Sequence, residues 1–216
     1  MMKLVSVNVG LPRELEWRGR PVTTGIFKSP VAGRVRVRTL NLDGDRQADL
    51  SVHGGPDKAV YVYPAEHYDY WRQELPGIDL PPGSFGENLT TEGMRETEIR
   101  IGDRFRVGST VVRVTQPRLP CYKLGVKFGR DDMVRRFLAS ERTGFYFAVV
   151  QEGDVAAGDA IEPLERATHE VTVSEIVRLY ARDRGDLEAL RRVVQVEALP
   201  ESWLGHFRHQ MEKLGA

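Results

Sequence analysis

The amino-acid sequence predicts a mainly β domain with a few helices, followed by a small three-helix unit. Three observations carry this. Between residues 3 and about 164 the chain is written in short β-branched runs punctuated by glycine, the pattern of strands and tight turns. Within it, Arg34-Val35-Arg36-Val37-Arg38 alternates charged and apolar residues with period two, as a half-buried strand does. Beyond Leu164 the apolar spacing changes to three and four residues, the mark of amphipathic helices.

In chain order, residues 1–8 carry one charge and a short alternating pattern, and read as the first strand. Ala59-Val60-Tyr61-Val62-Tyr63 reads as another. A helix is expected to start at Pro64, where the missing N–H costs no helical bond, and to run through Tyr68, Trp71 and Leu75. Residues 76–83, with Pro81-Pro82, form a loop. Runs at 99–101, 105–107 and 111–115 are expected strands separated by Gly102-Asp103 and Gly108-Ser109, which suit hairpins. This stretch reads as a meander or part of a barrel. Gly-Asp recurs at Gly44-Asp45, Gly153-Asp154 and Gly158-Asp159 without a fixed period, marking turns rather than a repeat. A second helix follows Asp131 as N-cap, with Met133, Val134, Phe137 and Leu138 on one side. Both helices are expected to pack over the sheet.

In the last fifty residues, Thr172-Val173-Ser174-Glu175 has capping-box spacing, and Val173, Ile176, Val177 and Tyr180 form a stripe. Leu187, Leu190 and Val194 mark the next helix. Trp203 or Leu204, Phe207, Met211 and Leu214 mark the last, stopped by Gly215. Three short helices make a thin core, so the unit should dock on the β domain or on a partner.

Composition limits the function classes. The 216 residues carry 31 Lys+Arg against 31 Asp+Glu, which leaves no cationic excess for a nucleic-acid polymer. No run of ~18 apolar residues offers a membrane span, and residues 1–8 lack the apolar core of a secretory signal. A cytoplasmic protein is expected. The single cysteine, Cys121, excludes an intrachain disulfide, a Cys-rich zinc site and an iron–sulfur cluster held by this chain alone. Neither G-x-G-x-x-G, a Walker lysine loop nor H-E-x-x-H occurs. Redox chemistry here needs electrons from another protein.

Four segments carry candidate chemistry. In His53-Gly54-Gly55-Pro56-Asp57-Lys58 the paired glycines let backbone amides approach an anion, with His53 and Lys58 adding positive charge. A plain glycine turn accounts for the same dipeptide. In Gly83-Ser84-Phe85-Gly86-Glu87-Asn88-Leu89-Thr90 two glycines bracket Phe85, and Glu87-Asn88 supply an acceptor and an amide able to read a heterocycle's edge. In Gln116-Pro117-Arg118-Leu119-Pro120-Cys121-Tyr122-Lys123-Leu124-Gly125 two prolines fix the backbone ahead of the cysteine, and Arg118 and Lys123 place charge that favours a thiolate. The other reading of Cys121 is a buried small hydrophobe. Arg142-Thr143-Gly144-Phe145-Tyr146 turns from helix to strand with an arginine at the mouth.

Taken in this order, residues 53–61, 85–89 and 116–124 resemble the MOSC family, named for the molybdenum cofactor sulfurase C-terminal domain. The resemblance covers roughly residues 1–165, and the tail looks like the three-helix (3-alpha) domain that follows MOSC in its stand-alone bacterial branch. It divides the chain into a MOSC domain at 1–166 and a helical domain at 167–216. It implies a β-barrel-like fold that holds the molybdenum cofactor (molybdopterin), with Cys121 as thiolate ligand to the metal. His53, Gly54, Gly55, Lys58, Phe85, Gly86, Asn88, Arg118, Lys123 and Arg142 are then candidates to hold the cofactor. His53, Asp57 and Glu87 are candidates to manage protons beside Cys121. No pyridoxal phosphate is expected.

The implied activity is reduction of N-hydroxylated compounds, including hydroxylamino purines and other base analogues, a detoxification chemistry. The electrons would come from a separate flavin or iron–sulfur protein, with the helical tail as the place for its docking. An oligomer is compatible with the sequence. Two other readings stay open. One is a molybdenum-cofactor or sulfur carrier without turnover; the other is a thiol hydrolase with Cys121 as nucleophile, His53 as base and Asp57 or Glu87 as orienter.

Overall fold

The structure is a computed structural model that describes residues 1–49 and 53–215. The β-branched runs form strands β1 (Lys3–Val9), β2 (Arg13–Trp17), β3 (Arg20–Thr24), β4 (Ser29–Pro30) and β5 (Val35–Val37). A 3-10 turn at Pro56–Lys58 precedes β6 (Val60–Pro64), α1 (His67–Glu74), β7 (Leu89–Glu92), β8 (Arg104–Val107) and β9 (Thr110–Pro117). Then come α2 (Tyr122–Phe128), α3 (Met133–Ala139), β10 (Phe145–Gln151), β11 (Gly153–Val155) and β12 (Ile161–Glu165). The tail holds α4 (Val173–Ala181), α5 (Leu187–Val193) and α6 (Glu201–Lys213).

Eight strands form one mixed sheet in the order β12-β8-β9-β10-β6-β7-β1-β4, with only β6 and β7 parallel among adjacent pairs. Two-stranded ribbons, β11 with β5 and β2 with β3, flank it. The sheet is not a closed barrel. Its ends meet through three backbone bonds of 2.8–3.0 Å, which join Met2 and Leu4 to residues 158–161, and through an isolated Lys3–Ala160 bridge.

Strand β6 shows how the core is divided. Side chains alternate across a strand, so Val60 and Val62 enter the main apolar cluster with Phe145, Phe147 and Val114. Tyr61 and Tyr63 point the other way, into an aromatic cluster with Trp71 of α1, Phe85 and Phe137 of α3. Both helices thus cover the sheet as the sequence predicts.

Several boundaries differ from expectation. Pro64 ends β6 opposite Thr91 and does not start α1, since a strand end tolerates a missing donor as readily as a helix start does. The N-cap of α3 is Asp132, not Asp131, and its carboxylate takes two bonds from Arg130 at 3.0 and 2.9 Å rather than capping. Helix α2 lies in the cysteine segment, where no helix was expected, and Gly125 within it lets the Arg130 carbonyl lie within 2.7 Å of where a Cβ would stand. Gly153-Asp154 lies in β11, not in a turn. Leu214 is exposed rather than part of the last apolar stripe.

Residues 99–101 form no hairpin strand. They bond to the tail instead, through Ile101 N to Val171 O at 3.1 Å and Val173 N to Ile99 O at 3.0 Å. Thr172 caps α4 as predicted, its Oγ1 accepting from Glu175 N at 3.2 Å. Ile176, Leu190 and Phe207 of the tail share one cluster with Phe105 and Val114 of the sheet. The three-helix unit is therefore docked on the β domain of its own chain.

Gly144 joins β10 to the segment after β9. It has φ +64°, accepts from Arg118 N at 3.2 Å and donates to Glu96 Oε1 at 2.7 Å. A Cβ there would collide with the Val62 carbonyl and lie 2.9 Å from both the Tyr61 and Tyr63 rings. Gly144→Ala is expected to cost about 2–3 kcal/mol of unfolding free energy through strain and displacement of this turn. Denaturant unfolding checks it, and a loss under about 0.5 kcal/mol would show that the turn is not so confined.

Candidate functional site

Strand β9 ends in Gln116-Pro117 and delivers Arg118 to the bottom of a cleft of about 330 Å³. Pro120 then leads to Cys121, the extended N-cap residue of α2 at φ −117° and ψ 172°. Cys121 is half-buried, and its Sγ lies 3.4 Å from Nε2 of His53. Two residues 68 apart in sequence, picked out by type alone, are thus in contact.

Eight of the candidate residues line the cleft: His53, Gly54 and Lys58 from the glycine loop, Gly86 and Asn88, and Arg118, Cys121 and Lys123. Gly54 and Gly86 have φ of +102° and +82°, and a Cβ on Gly86 would come within 2.8 Å of Ile26. The Asn88 amide is committed to the scaffold. Its Oδ1 accepts from Tyr61 N at 3.1 Å and its Nδ2 donates to Asp45 Oδ2 at 2.9 Å.

The other five candidates do not line the cleft. Gly55 precedes the 3-10 turn with φ +85°. Asp57 sends its carboxylate toward Arg113, 3.9 Å away. Phe85 is buried with its ring 4.7 Å from Tyr63. Glu87 is fully buried; it accepts from Gly83 N at 2.8 Å, Thr90 Oγ1 at 2.9 Å, Phe85 N at 3.1 Å and the Tyr68 hydroxyl. Burial pushes its carboxyl above the ordinary value. This acid holds a loop, and no hydrogen bond joins it or Asp57 to His53 among the described residues. Arg142 stacks 4.1 Å over the Tyr70 ring and donates to Ser140 O at 3.0 Å.

The cleft is positively charged. Arg118 and Lys123 are only 6% and 8% exposed, and among the described residues neither has a carboxylate within 4.0 Å. Arg118 touches instead the Tyr61 hydroxyl at 3.4 Å and the rings of Tyr61 and Phe137 at 4.9 and 5.1 Å. A cation buried without a counter-ion is costly, and an anion entering the cleft relieves that cost. Burial, then the charges of Lys123 and Lys58, holds the His53 imidazole below its ordinary value, so it is neutral at neutral pH.

Sequence reasoning missed several lining residues. Lys28 and Asp45 form a buried ion pair at one side of the cleft. Tyr61 and Tyr146 line its floor, and Tyr180, Trp203 and His206 of the tail line it too. Gln116 links these parts: its Oε1 accepts from Trp203 Nε1 at 2.8 Å, and its Nε2 donates to the Asp57 carbonyl at 3.2 Å. The signal available for Lys28 and Asp45 was only a charge beside apolar residues, which surfaces share.

Among the described residues no group of three His, Cys, Asp or Glu is placed to hold a metal ion. Cys121 is the one soft donor in the cleft, so a metal bound there must bring most of its own ligands.

Residues 49–162 match the MOSC domain. The chain belongs to the MOSC family. Residues 171–214 match the YiiM-like 3-alpha helix domain, so this is a MOSC protein of the stand-alone bacterial kind with a helical tail. It is 44% identical to the uncharacterised protein YflK of Bacillus subtilis, over 98% of this chain and 95% of that protein. The crystal structure of YiiM from Geobacillus stearothermophilus superposes with a TM-score of 0.81 at 33% identity, covering 97% of this chain and 99% of the other. A protein named reductase in Gibberella moniliformis is 33% identical over 82% of this chain, which spans 32% of that relative. MOSC domains in general are linked to molybdenum-cofactor binding. No helix among the described residues is long and apolar enough to cross a membrane.

Burial lowers the Lys28 ammonium below its ordinary 10.5, and Asp45 pulls it back up. Asp45→Asn leaves that cation without its partner and is expected to cost about 3–5 kcal/mol at neutral pH. With the folded-state value held below the unfolded 10.5, the unfolded chain binds the proton more readily, so the deficit is full at neutral pH and shrinks as pH rises toward 10.5. Unfolding curves at pH 7 and pH 10 check this; an equal deficit at both would refute the assignment.

Proposed function

We propose that this MOSC protein binds the molybdenum cofactor in the cleft and reduces N-hydroxylated compounds, hydroxylamino purines among them, with electrons from a separate flavin or iron–sulfur protein. One observation carries the reading: two buried cations, Arg118 and Lys123, with no carboxylate partner among the described residues, line the same cleft as the chain's single thiol. That set fits a ligand that is anionic and brings a thiophilic metal with most of its coordination sphere already filled. The name of the Gibberella relative and the general link of MOSC domains to the cofactor agree with it.

When bound, the cofactor supplies the two-electron chemistry that turns an N–OH group into an amine and water. Everything else falls to the chain. Arg118 and Lys123 bind the cofactor's phosphate, with Lys58 and the left-handed backbones of Gly54 and Gly86 completing the cradle. Cys121 supplies the one protein thiolate. His53, neutral and 3.4 Å from Cys121, holds and passes a proton at Nε2. The buried surroundings of Arg118 and Lys123 keep these groups in place.

The same 3.4 Å contact suits a Cys–His nucleophile pair. That reading is the weaker one, because neither Asp57 nor Glu87 reaches His53 to orient it.

The test is metal and pterin content of protein purified from a host that makes the cofactor. Near-stoichiometric molybdenum is expected in the native protein, with most of it lost in Cys121→Ser, because a hydroxyl is a poor replacement for a soft thiolate. Retained metal in that variant would remove Cys121 as ligand. His53→Gln should keep the metal and lower kcat for a hydroxylamino purine by about 10²-fold; an unchanged kcat would remove the proton role. Absence of metal and pterin after reconstitution would sink the reductase reading, and bound cofactor without any reduction would make the protein a carrier.

A further inference from the structure

We propose that the three-helix unit supplies the selective wall of the cleft, with Tyr180 and His206, backed by Trp203, forming a platform on which a planar aromatic substrate stacks. The reacting N–OH group rests on the reductase reading above; the stacking does not.

Tyr180 at the end of α4 and Trp203 and His206 on the first turns of α6 all line the cleft. Their rings form one continuous surface. Tyr180 lies 5.3 Å from His206 at 41° and 5.6 Å from Trp203 at 66°. Trp203 is buried, and its Nε1–H is pinned to Gln116 Oε1 at 2.8 Å, which fixes the platform against the end of β9. Tyr180 is half-buried and His206 exposed, so their faces remain open to a ligand.

Trp203 belongs to the main apolar core and Tyr180 packs against it, so these two rings serve the fold as well as the cleft, whereas His206 is exposed and stands outside that core. Burial, then the nearby charges of Arg184, His209 and Lys213, holds the His206 imidazole below its ordinary value, so at neutral pH it offers an uncharged ring face. The cleft therefore has two unlike sides. Arg118, Lys123 and Cys121 form the cationic, thiol-bearing side, and Tyr180, Trp203 and His206 of the helical tail form an aromatic one of adjoining, mutually tilted rings. A substrate whose N–OH group is attached to a planar ring satisfies both, because stacked rings add to the area they bury.

The reaction fixes the comparison. In R–NH–OH the N–O bond breaks, two electrons come from the donor protein, two protons are taken up, and R–NH₂ and water leave. N-Phenylhydroxylamine and N-methylhydroxylamine share this bond and differ in the ring alone. In the cofactor-loaded protein, Tyr180→Leu combined with His206→Leu is expected to raise KM for the phenyl compound about tenfold. Its kcat should hold within about twofold, and both parameters for the methyl compound should be unchanged. Tyr180→Phe, which keeps the ring, should leave the phenyl KM at the native level. Equal shifts for the two compounds, or none, would overturn the platform.

Binding of adenine, a non-reacting aromatic probe, is followed by calorimetry and separates this proposal from the reductase reading. Affinity should fall about tenfold in the double leucine variant whether or not the protein turns over. Equal affinity in native and variant protein would refute the platform, whereas native protein that binds adenine but reduces neither hydroxylamine would refute only the reductase reading.

Discussion

The side-chain amide of Gln116 holds the cleft together. One end accepts from Trp203 in the helical tail and the other donates to the Asp57 carbonyl in the glycine loop. The residue itself is next to last in the strand that leads to Arg118 and, five positions on from Gln116, to Cys121. A buried amide satisfied at both ends tolerates little displacement, since a lost partner leaves a polar atom without water. Three pieces distant in sequence are thereby set at one spacing. The tail accordingly forms part of the cleft's wall and shares the apolar core of the β domain.

Around that frame the charges are sorted by what they can meet. Asp45 is spent on Lys28, Gly10 N and the Asn88 amide. Glu87 is spent on its own loop and Tyr68, and Glu96 on His67 and Gly144. The carboxylates buried near the site are thus occupied, and among the described residues none lies within 4.0 Å of Arg118 or Lys123. An anion is the kind of ligand whose charge would match those two buried cations.

What was legible in the sequence follows the range of the interactions. The Thr172 cap and the Gly108-Ser109 hairpin are local, and both stand as read. Cys121, His53, Arg118 and Lys123 were found because their residue types stand out beside glycine and proline, and the fold brings them together. Trp203 was read as a core position, and only a contact 87 residues away gives it a wall to build. Lys28 and Asp45 pair across 17 residues that include β4 and β5, a separation that no local spacing rule marks. Glu87 and Arg142 had the right chemistry for a site and were claimed by nearer partners, a loop's amides in one case and the Tyr70 ring in the other. Helix α2 was hidden by Pro120 and Gly125, which read as breakers and serve here as entry and close-contact residues.

The bonds between residues 2–4 and 158–161 bear on how the chain is made. Strand β1 precedes its main partner β7 by more than eighty residues, and although β4 meets the end of its opposite edge early, Met2 and Leu4 are met there only when residues 158–161 have been synthesised. Until then an apolar strand stands with unpaired amides and carbonyls, the condition in which nascent chains pair with the wrong neighbour. The contact between residues 2–4 and 158–161 is thus a late event in biosynthesis, and the full ordering of β1 reports that most of the domain has already been translated.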